Sequence, residues 1–314
     1  MEQRWAMGEM EIPEGRNRHE LRLGKYTVAL TNLNKIFWLE GSITKRELLT
    51  YYASVSDVLL PHLHNRAMVM KRYPNGAGGE FFFMKRAPAQ RPEWIETCSI
   101  THRSASVIDF PMVQNLASLL WVVNLGCIDL NPWYATCADV NRPDYLHFDL
   151  DPVPPAALPK VLEAGLLLRD YLLKRKICSY PKTTGSRGLH VYVPIQCGPL
   201  QKEVWTVAKR IALDLAGQHP AIITAEYRIA KRPAGRVLVD YNQNAWGRTL
   251  ASVYSVRPVA AATVSTPVTW EEIEKGIRME DFRIENVPAR VERLGDLFKP
   301  VIAGRGKVRL ESFA

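Results

Sequence analysis

Three aspartates in this chain stand where apolar strands are expected to end. The segment 145–152 reads Tyr-Leu-His-Phe-Asp-Leu-Asp-Pro, and its alternation of apolar and polar residues predicts a strand with one face against a core. Asp149 and Asp151 then share the other face, with Cα atoms about 6 to 7 Å apart. Two carboxylates at this spacing can share one or two divalent cations, and without a cation they repel and hold their protons. An isolated Asp-x-Asp is more often a solvated strand end, so the pair needs support from elsewhere.

That support comes from two later segments. Asp240 ends the apolar run 237–239 and offers a third carboxylate from a neighbouring strand. The turn 184–188, Thr-Gly-Ser-Arg-Gly, supplies closely spaced N–H groups, hydroxyls and a guanidinium, which are the groups that a triphosphate requires. His190 follows on the polar face of the predicted strand 189–195. Each signal is weak alone, and together they predict a metal-dependent site for a nucleotide.

Aromatic and basic residues are mixed in an earlier segment. Phe81, Phe82 and Phe83 are consecutive and cannot all face one side of a strand. Exposed phenylalanines near Lys71 and Arg72 would form a stacking platform in a basic groove, as single-stranded nucleic acid requires. A strand that is buried on both faces is the alternative from this segment alone.

The composition is that of a globular protein with a polyanionic partner. The chain has 314 residues, 47% apolar and 23% charged, and a net charge of +9 from 41 Lys and Arg against 32 Asp and Glu. Charge alone leaves nucleic acid and an anionic membrane open. There is no run of about 18 uncharged apolar residues and no signal peptide, which predicts a cytoplasmic, nucleoid-associated protein. Five cysteines without a C-x-x-C pair predict reduced and buried thiols, with neither a disulfide framework nor a zinc site.

The elements that must position these residues follow from periodicity. We expect a partly ordered extension at 1–24, a single catalytic domain at 25–300 and a tail at 301–314. The predicted helices cover 44–60, 114–130, 158–176, 201–217, 270–277 and 287–297. The predicted strands include 25–30, 68–72, 145–152, 189–195 and 237–240.

The order of these motifs resembles the primase-polymerase domain of bacterial DNA ligase D, within the archaeo-eukaryotic primase superfamily. The matching segments are 31–35, 71–76, 82–83, 148–152, 184–190 and 239–240, with Gln243 and Arg257. The resemblance implies a mixed α/β fold, in which an RRM-like antiparallel sheet carries the metal site and an N-terminal α/β unit supplies a DNA-binding surface. It also implies template-directed nucleotidyl transfer at broken DNA ends and short gaps, with ribonucleotides favoured over deoxyribonucleotides.

The resemblance also implies roles for individual residues. Asp149, Asp151 and Asp240 would bind two divalent cations, Mn²⁺ or Mg²⁺. The residues that would hold the incoming NTP or dNTP are Thr184, Ser186, Arg187, His190, Gln243 and Arg257. Those that would hold the 5′-phosphate of the downstream strand are Asn32, Lys35 and Lys71, and Phe82 and Phe83 would stack on the template. The end-binding protein Ku and a separate ligase are the implied partners.

Four positions depart from the family pattern. Asn131 stands where a histidine is usual; it can donate a hydrogen bond but carries no charge. Thr184 replaces a serine, Arg187 replaces a lysine, and Arg232 matches a loop arginine only approximately. There is also no Lys-x-Asp-Gly ligase motif, so we expect a stand-alone polymerase.

Three other functions fit parts of the pattern. A dedicated primase, which starts chains without a primer, would use the same site. A non-catalytic nucleic-acid-binding module would have no reason to keep both a metal site and a triphosphate site. A metal-dependent nuclease would explain the carboxylates but not the residues that hold a nucleotide.

Overall fold

The computed structural model describes residues 12–102, 104–304 and 306–313. Within these ranges the chain forms fourteen strands and eight α-helices. The strands are β1 (Arg18–Leu23), β2 (Tyr26–Thr31), β3 (Ile36–Trp38), β4 (Ile43–Thr44), β5 (Met68–Arg72), β6 (Phe82–Met84), β7 (Thr97–Thr101), β8 (Val107–Pro111), β9 (Cys127–Pro132), β10 (Tyr145–Pro152), β11 (Tyr180–Thr183), β12 (Leu189–Pro194), β13 (Ile223–Thr224) and β14 (Val237–Asp240). The helices are α1 (Lys45–Ser54), α2 (Ser56–Leu63), α3 (Leu116–Asn124), α4 (Leu158–Leu173), α5 (Gln201–Gln218), α6 (Trp270–Lys275), α7 (Val287–Leu294) and α8 (Lys299–Ile302).

The largest sheet has five strands in the order β11-β12-β10-β14-β13. All neighbours are antiparallel except β13 and β14, which are parallel. The central strand β10 is buried along nearly its whole length, because it pairs on both edges and α4 and α5 contact it. The predicted antiparallel sheet is confirmed.

The N-terminal part combines α1, α2 and α3 with small sheets. Its strands pair as β1-β2, β3-β4, β6-β5-β9 and β7-β8. The predicted mixed α/β fold with an N-terminal α/β unit is therefore confirmed.

The predicted helix 44–60 is two helices. Thr44 begins α1 with a capping box, in which its side chain accepts from Glu47 N and its backbone N–H donates to the Glu47 carboxylate. Val55 then leaves helical geometry at φ −100° and ψ 6°, and α2 begins at the next residue.

The prediction of one helix over 114–130 is wrong in its second half. Asn115 caps α3, which ends at Asn124, and Gly126 at φ +82° turns the chain into β9. An added Cβ at Gly126 would lie 3.2 Å from Tyr73 O, so this position favours glycine for its space and its conformation. A continuous apolar run does not distinguish a buried helix from a buried strand, which explains the error.

The prediction that all cysteines are reduced is also wrong for one pair. A disulfide joins Cys98 of β7 to Cys137 after β9, with Cα atoms 5.9 Å apart. Cys127 is a buried free thiol, as predicted, whereas the free thiols Cys178 and Cys197 are exposed, so their predicted burial is wrong. The bonded residues are 39 positions apart, and spacing along the chain does not reveal proximity in the fold.

Both predicted terminal segments contain ordered contacts. β1 lies within the predicted extension and pairs along its length with β2. In the predicted tail, Val308 bridges Ile195 and Phe313 is buried. Residues 1–11 of the extension, and residues 305 and 314 of the tail, lie outside the described ranges. No helix in the described part of the chain has both the length and the hydropathy to cross a bilayer.

Candidate active site

The sheet brings the three predicted carboxylates together. On β10, Asp149 lies directly opposite Asp240 of β14, and cross-strand partners project from the same face of a sheet. Asp151 lies two residues further along the same strand and therefore on that face too. Asp149 is buried, whereas Asp151 and Asp240 are half-buried. The strand register alone thus builds an acidic cluster at one end of the sheet.

The acidic cluster carries negative charge that the protein does not fully balance. Burial raises the pKa of Asp149 to about 6, although Lys182, Arg257 and Arg187 oppose the shift. Burial, and then the charge of Asp149, raise the pKa of Asp151 to about 6 as well. Burial also raises the pKa of Asp240, where Asp149 adds to the effect and the N–H of Asn242 opposes it. A divalent cation would relieve this repulsion.

The donor set fits Mn²⁺ or Mg²⁺, because hard divalent cations prefer carboxylate oxygens. Among the described residues, however, no three His, Cys, Asp or Glu side chains stand together as a ready metal site. A cation at Asp149, Asp151 and Asp240 would therefore have to draw their carboxylates closer than they lie.

A fully buried lysine supports the cluster from behind. Lys182 Nζ lies 2.8 Å from His190 Nδ1, 3.0 Å from Ala251 O and 2.6 Å from Ser265 Oγ. Ser265 Oγ donates its own hydrogen to Thr183 O, so it accepts from Lys182. An ammonium has three N–H bonds, and these three acceptors match them. Sequence reasoning missed this role, since two of the partners lie 69 and 83 residues away along the chain.

The contact with Lys182 orients His190. Burial lowers the pKa of His190 well below its usual value, and Lys182 and Arg257 add to the effect, so the imidazole is neutral. With Nδ1 accepting from Lys182, the imidazole hydrogen lies on Nε2, which is 3.3 Å from Asp149 Oδ1. Burial and then Arg257 lower the pKa of Lys182 too, while Asp149 opposes them. His190 thus presents an N–H to the acidic cluster.

The predicted triphosphate turn is organised by Thr184. Its Oγ1 accepts the backbone N–H groups of Ser186, Arg187 and Gly188 at 3.1, 3.2 and 3.0 Å. The hydroxyl is therefore occupied inside the turn, where it fixes the backbone. Ser186 and Arg187 are exposed, and Arg187 Nε lies 3.7 Å from Asp151 Oδ1.

Two glycines allow this turn to pack against its neighbours. Gly185 has φ +66°, and a Cβ there would lie 2.6 Å from Arg257 Cγ. A Cβ at Gly188 would overlap Leu150 O on β10. The turn therefore sits directly on the strand that carries the aspartates, which places it next to the acidic cluster.

A buried carboxylate forms the opposite wall of the cleft. Asp129 lies 3.3 Å from Lys71 Nζ and 3.2 Å from Arg257 Nε. Asn131 lies two residues along β9, and its Nδ2 donates to Asp129 O. The structure therefore places Lys71 in the lining of this cleft, where it pairs with Asp129.

Most of the predicted nucleotide-binding residues line one cleft of about 410 Å³. Its predicted members are Lys71, Phe83, Asn131, Asp149, Asp151, Thr184, Ser186, Arg187, His190 and Arg257. Gln243 is not part of this lining but donates to Asp240 at 3.2 Å. Arg232 donates to Glu226 O and Tyr227 O within its own loop. The volume lies within the usual range for small-molecule sites.

The phenylalanines form an exposed platform beside the cleft. Phe81, Phe82 and Phe83 are 50%, 44% and 58% exposed. Lys71 Nζ lies 4.1 Å from the ring centroid of Phe81, and Arg72 Cζ lies 5.2 Å from that of Phe82. The doubly buried strand is excluded, and the cations hold the rings in place.

A basic cluster outside the cleft lining consists of Lys35, Lys45 and Arg72. We call it the Lys35 cluster. Lys35 Nζ donates to Pro74 O and Asn75 Oδ1 at 2.5 and 3.2 Å. Lys45 is buried and donates to Thr31 O; burial, and then the charges of Lys35 and Arg72, lower its pKa to about 8. Asn32 lies at φ +55° in the turn just before Lys35.

Sequence reasoning missed Lys45. A signal was present, because a lysine in the first turn of a helix faces the positive end of the helix dipole. Such a placement needs another explanation, and an anion bound by the Lys35 cluster would provide one.

A sequence model of the family described as "LigD, primase-polymerase domain" matches residues 44–298. The chain belongs to this family. The resemblance of the motifs is thus confirmed.

Curated LigD relatives agree with this assignment. The multifunctional non-homologous end joining protein LigD of Mycolicibacterium smegmatis is 32% identical over 91% of this chain, and the bifunctional LigD of Bacillus subtilis is 30% identical over 84%. The chain spans only 38% and 42% of the length of these two proteins. A solved structure, the polymerase domain of Mycobacterium tuberculosis ligase D in complex with DNA, matches with a TM-score of 0.82 at 29% identity. That match covers 88% of this chain and 98% of the other.

Proposed function

We propose that this chain is a metal-dependent nucleotidyltransferase, a primase-polymerase that adds nucleotides at DNA ends and short gaps in non-homologous end joining or related repair. The observation that carries the proposal is the strand register. Asp149 has Asp240 opposite it on one side and His190 on the other, and the 184–188 turn packs on the same strand. Three carboxylates that could bind cations thus lie beside donors that could bind a triphosphate, and this supports the proposal.

The catalytic roles follow from this arrangement. Asp149, Asp151 and Asp240 would hold two Mn²⁺ or Mg²⁺ ions. When bound, such ions lower the pKa of the primer 3′-hydroxyl and neutralise charge on the phosphate being transferred. No protein nucleophile is required for this reaction.

The remaining cleft residues would bind the nucleotide. The guanidinium of Arg187 and the hydroxyl of Ser186 would donate to phosphate oxygens. His190, whose Nε2–H faces Asp149, would act beside them by holding that carboxylate next to the nucleotide. Arg257 and Lys71 would act from the Asp129 wall of the cleft. Asn131 lies on that wall as well, Gln243 acts beside Asp240, and Arg232 lies in a loop near the carboxylates. The preference for ribonucleotides rests on the resemblance and would be measured by direct competition between NTP and dNTP.

The DNA would lie across two surfaces. Phe82 and Phe83 would stack on template bases, because exposed rings above basic side chains suit a single strand. The Lys35 cluster, with Asn32, would bind the 5′-phosphate of the downstream strand. Ku and a separate ligase are proposed as partners on the resemblance, and 25–300 as the catalytic domain.

The test is primer extension on a gapped duplex with Mn²⁺ and nucleotides. Asp149→Asn removes one cation-binding charge with little change in shape, so extension should fall at least about a hundredfold while DNA binding is retained. Asp57→Asn, which alters an exposed carboxylate on α2, should leave extension unchanged. Extension that survives Asp149→Asn would overturn the proposal, and primer loss with Mn²⁺ and no nucleotide would indicate a nuclease.

A further inference from the structure

A second concave surface lies outside the cleft. It is a groove of about 470 Å³ between the β3–β4 hairpin, the turn 74–79 and the turn 258–260. Its walls include Ile36, Leu39, Pro258 and Val259, so they are largely apolar. We call it the hairpin groove. Nothing in the nucleotide-binding arrangement uses it.

The hairpin groove has an unusually exposed apolar rim. Leu39 is 89% exposed, more than any other large hydrophobic side chain in the described residues, and Ile36 is 45% exposed. Covering such a side chain is favourable, because it removes apolar surface from water. A single exposed apolar side chain needs no explanation. Leu39 and Ile36, however, line the same groove, which is typical of a surface that a ligand covers.

The opposite wall is preformed and bare. Ala77 N donates to Phe37 O at 2.7 Å, which fixes the turn 74–79 against β3. Gly76 has φ +86°, and a Cβ there would lie 2.8 Å from the same carbonyl, so the close approach requires glycine. Gly78 has nothing within 4 Å of its Cβ position. A flat group can therefore reach the backbone without displacing a side chain.

The groove connects the two proposed binding sites. Its lining includes Asn75, whose Oδ1 accepts from Lys35 of the Lys35 cluster. Its lining also includes Pro258, the residue directly after Arg257, which lines the nucleotide cleft. A ligand with an anionic group at Lys35 and a flat apolar body would match this combination of a basic cluster and an apolar groove.

We propose that the hairpin groove binds the 5′-terminal nucleoside of the downstream DNA strand, with Leu39 packed against the face of its base. This inference rests on the proposed function, because it requires the Lys35 cluster to hold the 5′-phosphate. Leucine, isoleucine and proline side chains inserted beside bases are known to unstack them. The terminal base leaves its duplex and lies in the groove, which keeps the end of the gap open for the incoming nucleotide.

The experiment uses a gapped duplex whose downstream strand carries a 5′-phosphate and 2-aminopurine as its first base. This base fluoresces weakly when stacked and strongly when unstacked. Binding of the full chain, without nucleotide or metal, should raise the fluorescence severalfold. Leu39→Ala should remove at least half of that rise and weaken binding three- to tenfold. Leu213→Ala, which alters a half-exposed leucine on α5, should leave both unchanged.

The outcomes separate the two proposals. Unchanged fluorescence on binding of the wild-type chain, or an equal rise with Leu39→Ala, would overturn the groove assignment. Primer extension with Mn²⁺ is measured in parallel on the same duplex. Extension without a fluorescence change would leave the polymerase proposal intact and refute the groove, whereas a Leu39-dependent rise without extension would do the reverse.

Discussion

At the scale of single residues, a polar chain leads from the interior to the acidic cluster. It runs from Ser265 through Lys182 and His190 to Asp149, with successive contacts of 2.6, 2.8 and 3.3 Å. Lys182 is fully buried and does not line the cleft. It can therefore affect the acidic cluster only through His190, which makes it a positioning residue. Its value to the site is that it fixes which imidazole nitrogen faces the carboxylates.

Lys182→Met tests this role. The change leaves His190 Nδ1, Ala251 O and Ser265 Oγ without their donor, which should lower the free energy of unfolding by about 1 to 3 kcal/mol. It should also lower nucleotide addition about 10- to 100-fold, as loss of a supporting contact commonly does.

If Lys182 only filled space in the core, replacing it would not change the tautomer of the His190 imidazole. The ¹⁵N shifts of His190 should therefore show hydrogen moving from Nε2 toward Nδ1 in the Lys182→Met variant. Lys174→Met, at the exposed end of α4, serves as the control and should change neither activity nor stability. Unchanged His190 shifts in the Lys182 variant would show that it packs without orienting.

The sequence contains the acidic and basic residues of the cleft but not their pairing. The alternation in 145–152 is local, so the common face of Asp149 and Asp151 could be predicted. In the sequence, Lys182 looks like part of a turn. Its burial could not be predicted, because the acceptors that permit it come from segments distant in the chain. Long-range partners of this kind leave no periodic signal.

At the scale of elements, β5 divides its two basic residues between different sites. Lys71 faces Asp129, whereas Arg72 joins the Lys35 cluster through its effect on Lys45. Adjacent residues of a strand project to opposite faces, which explains the separation. The resemblance implies that Lys71 binds the 5′-phosphate, whereas its contact with Asp129 favours a role in the nucleotide cleft, and we propose the latter.

Two variants distinguish these sites. On gapped duplexes with and without a 5′-phosphate, Lys35→Ala should erase the preference for the phosphate and reduce the salt dependence of binding by about one counterion. Lys71→Ala should keep that preference and lower nucleotide addition instead. Binding titrations over a range of salt concentrations, with extension rates, provide the comparison. Loss of the preference in both variants would restore the expectation from the resemblance.

The 184–188 turn is a second element with a clear test. Thr184→Val removes the hydroxyl that accepts three backbone N–H groups. The turn should loosen and the KM for nucleotide should rise about tenfold, which corresponds to about 1.4 kcal/mol. Thr184→Ser keeps the hydroxyl and should stay within about twofold of the parent chain. Equal KM values for the two variants would contradict this role.

Element boundaries show what local patterns can and cannot determine. Strand and helix existence was predicted well where alternation or a helical stripe was clear, as in β10, β12, α4 and α5. The predicted helix over 114–130 failed because an apolar run has no period to distinguish helix from strand. Gly126 was the available signal for the break.

At the scale of the whole molecule, Asp296 joins distant parts of the chain. It accepts from His62 of α2 at 2.8 Å, from Tyr254 OH at 2.9 Å and from Phe298 N at 2.9 Å. Burial opposes ionisation of Asp296, but these hydrogen bonds, above all from His62, lower its pKa below the usual value. The carboxylate thus ties the N-terminal unit to the C-terminal segment.

This carboxylate predicts a pH dependence of stability. Because the folded-state pKa lies below the unfolded value of about 3.9, the contribution is complete above that pH and is lost as the pH falls through the folded-state pKa. Asp296→Asn should cost about 1.5 to 3 kcal/mol at pH 7. The difference from the parent chain should shrink toward pH 3 in urea unfolding. Glu163→Gln, on the exposed face of α4, is the control, and a difference that stays constant with pH would contradict the assignment.

The largest features of the molecule were also the most predictable. The antiparallel sheet and the N-terminal α/β unit were both implied by the resemblance of the motifs to the family. The disulfide between Cys98 and Cys137 was not, since it depends on how β7 packs near the end of β9. Proximity in three dimensions, rather than residue type, was the missing information.

The central position of β10 has a thermodynamic consequence. Hydrogen bonds on both edges prevent this strand from shifting, so three acidic groups stay close although each is easier to bury protonated than ionised. Such an arrangement lowers the thermal stability of the fold but keeps the carboxylates in the positions that activity requires. Neutral side chains at these three positions would raise the free energy of unfolding but could not bind cations. Selection for stability alone would therefore remove the acidic cluster.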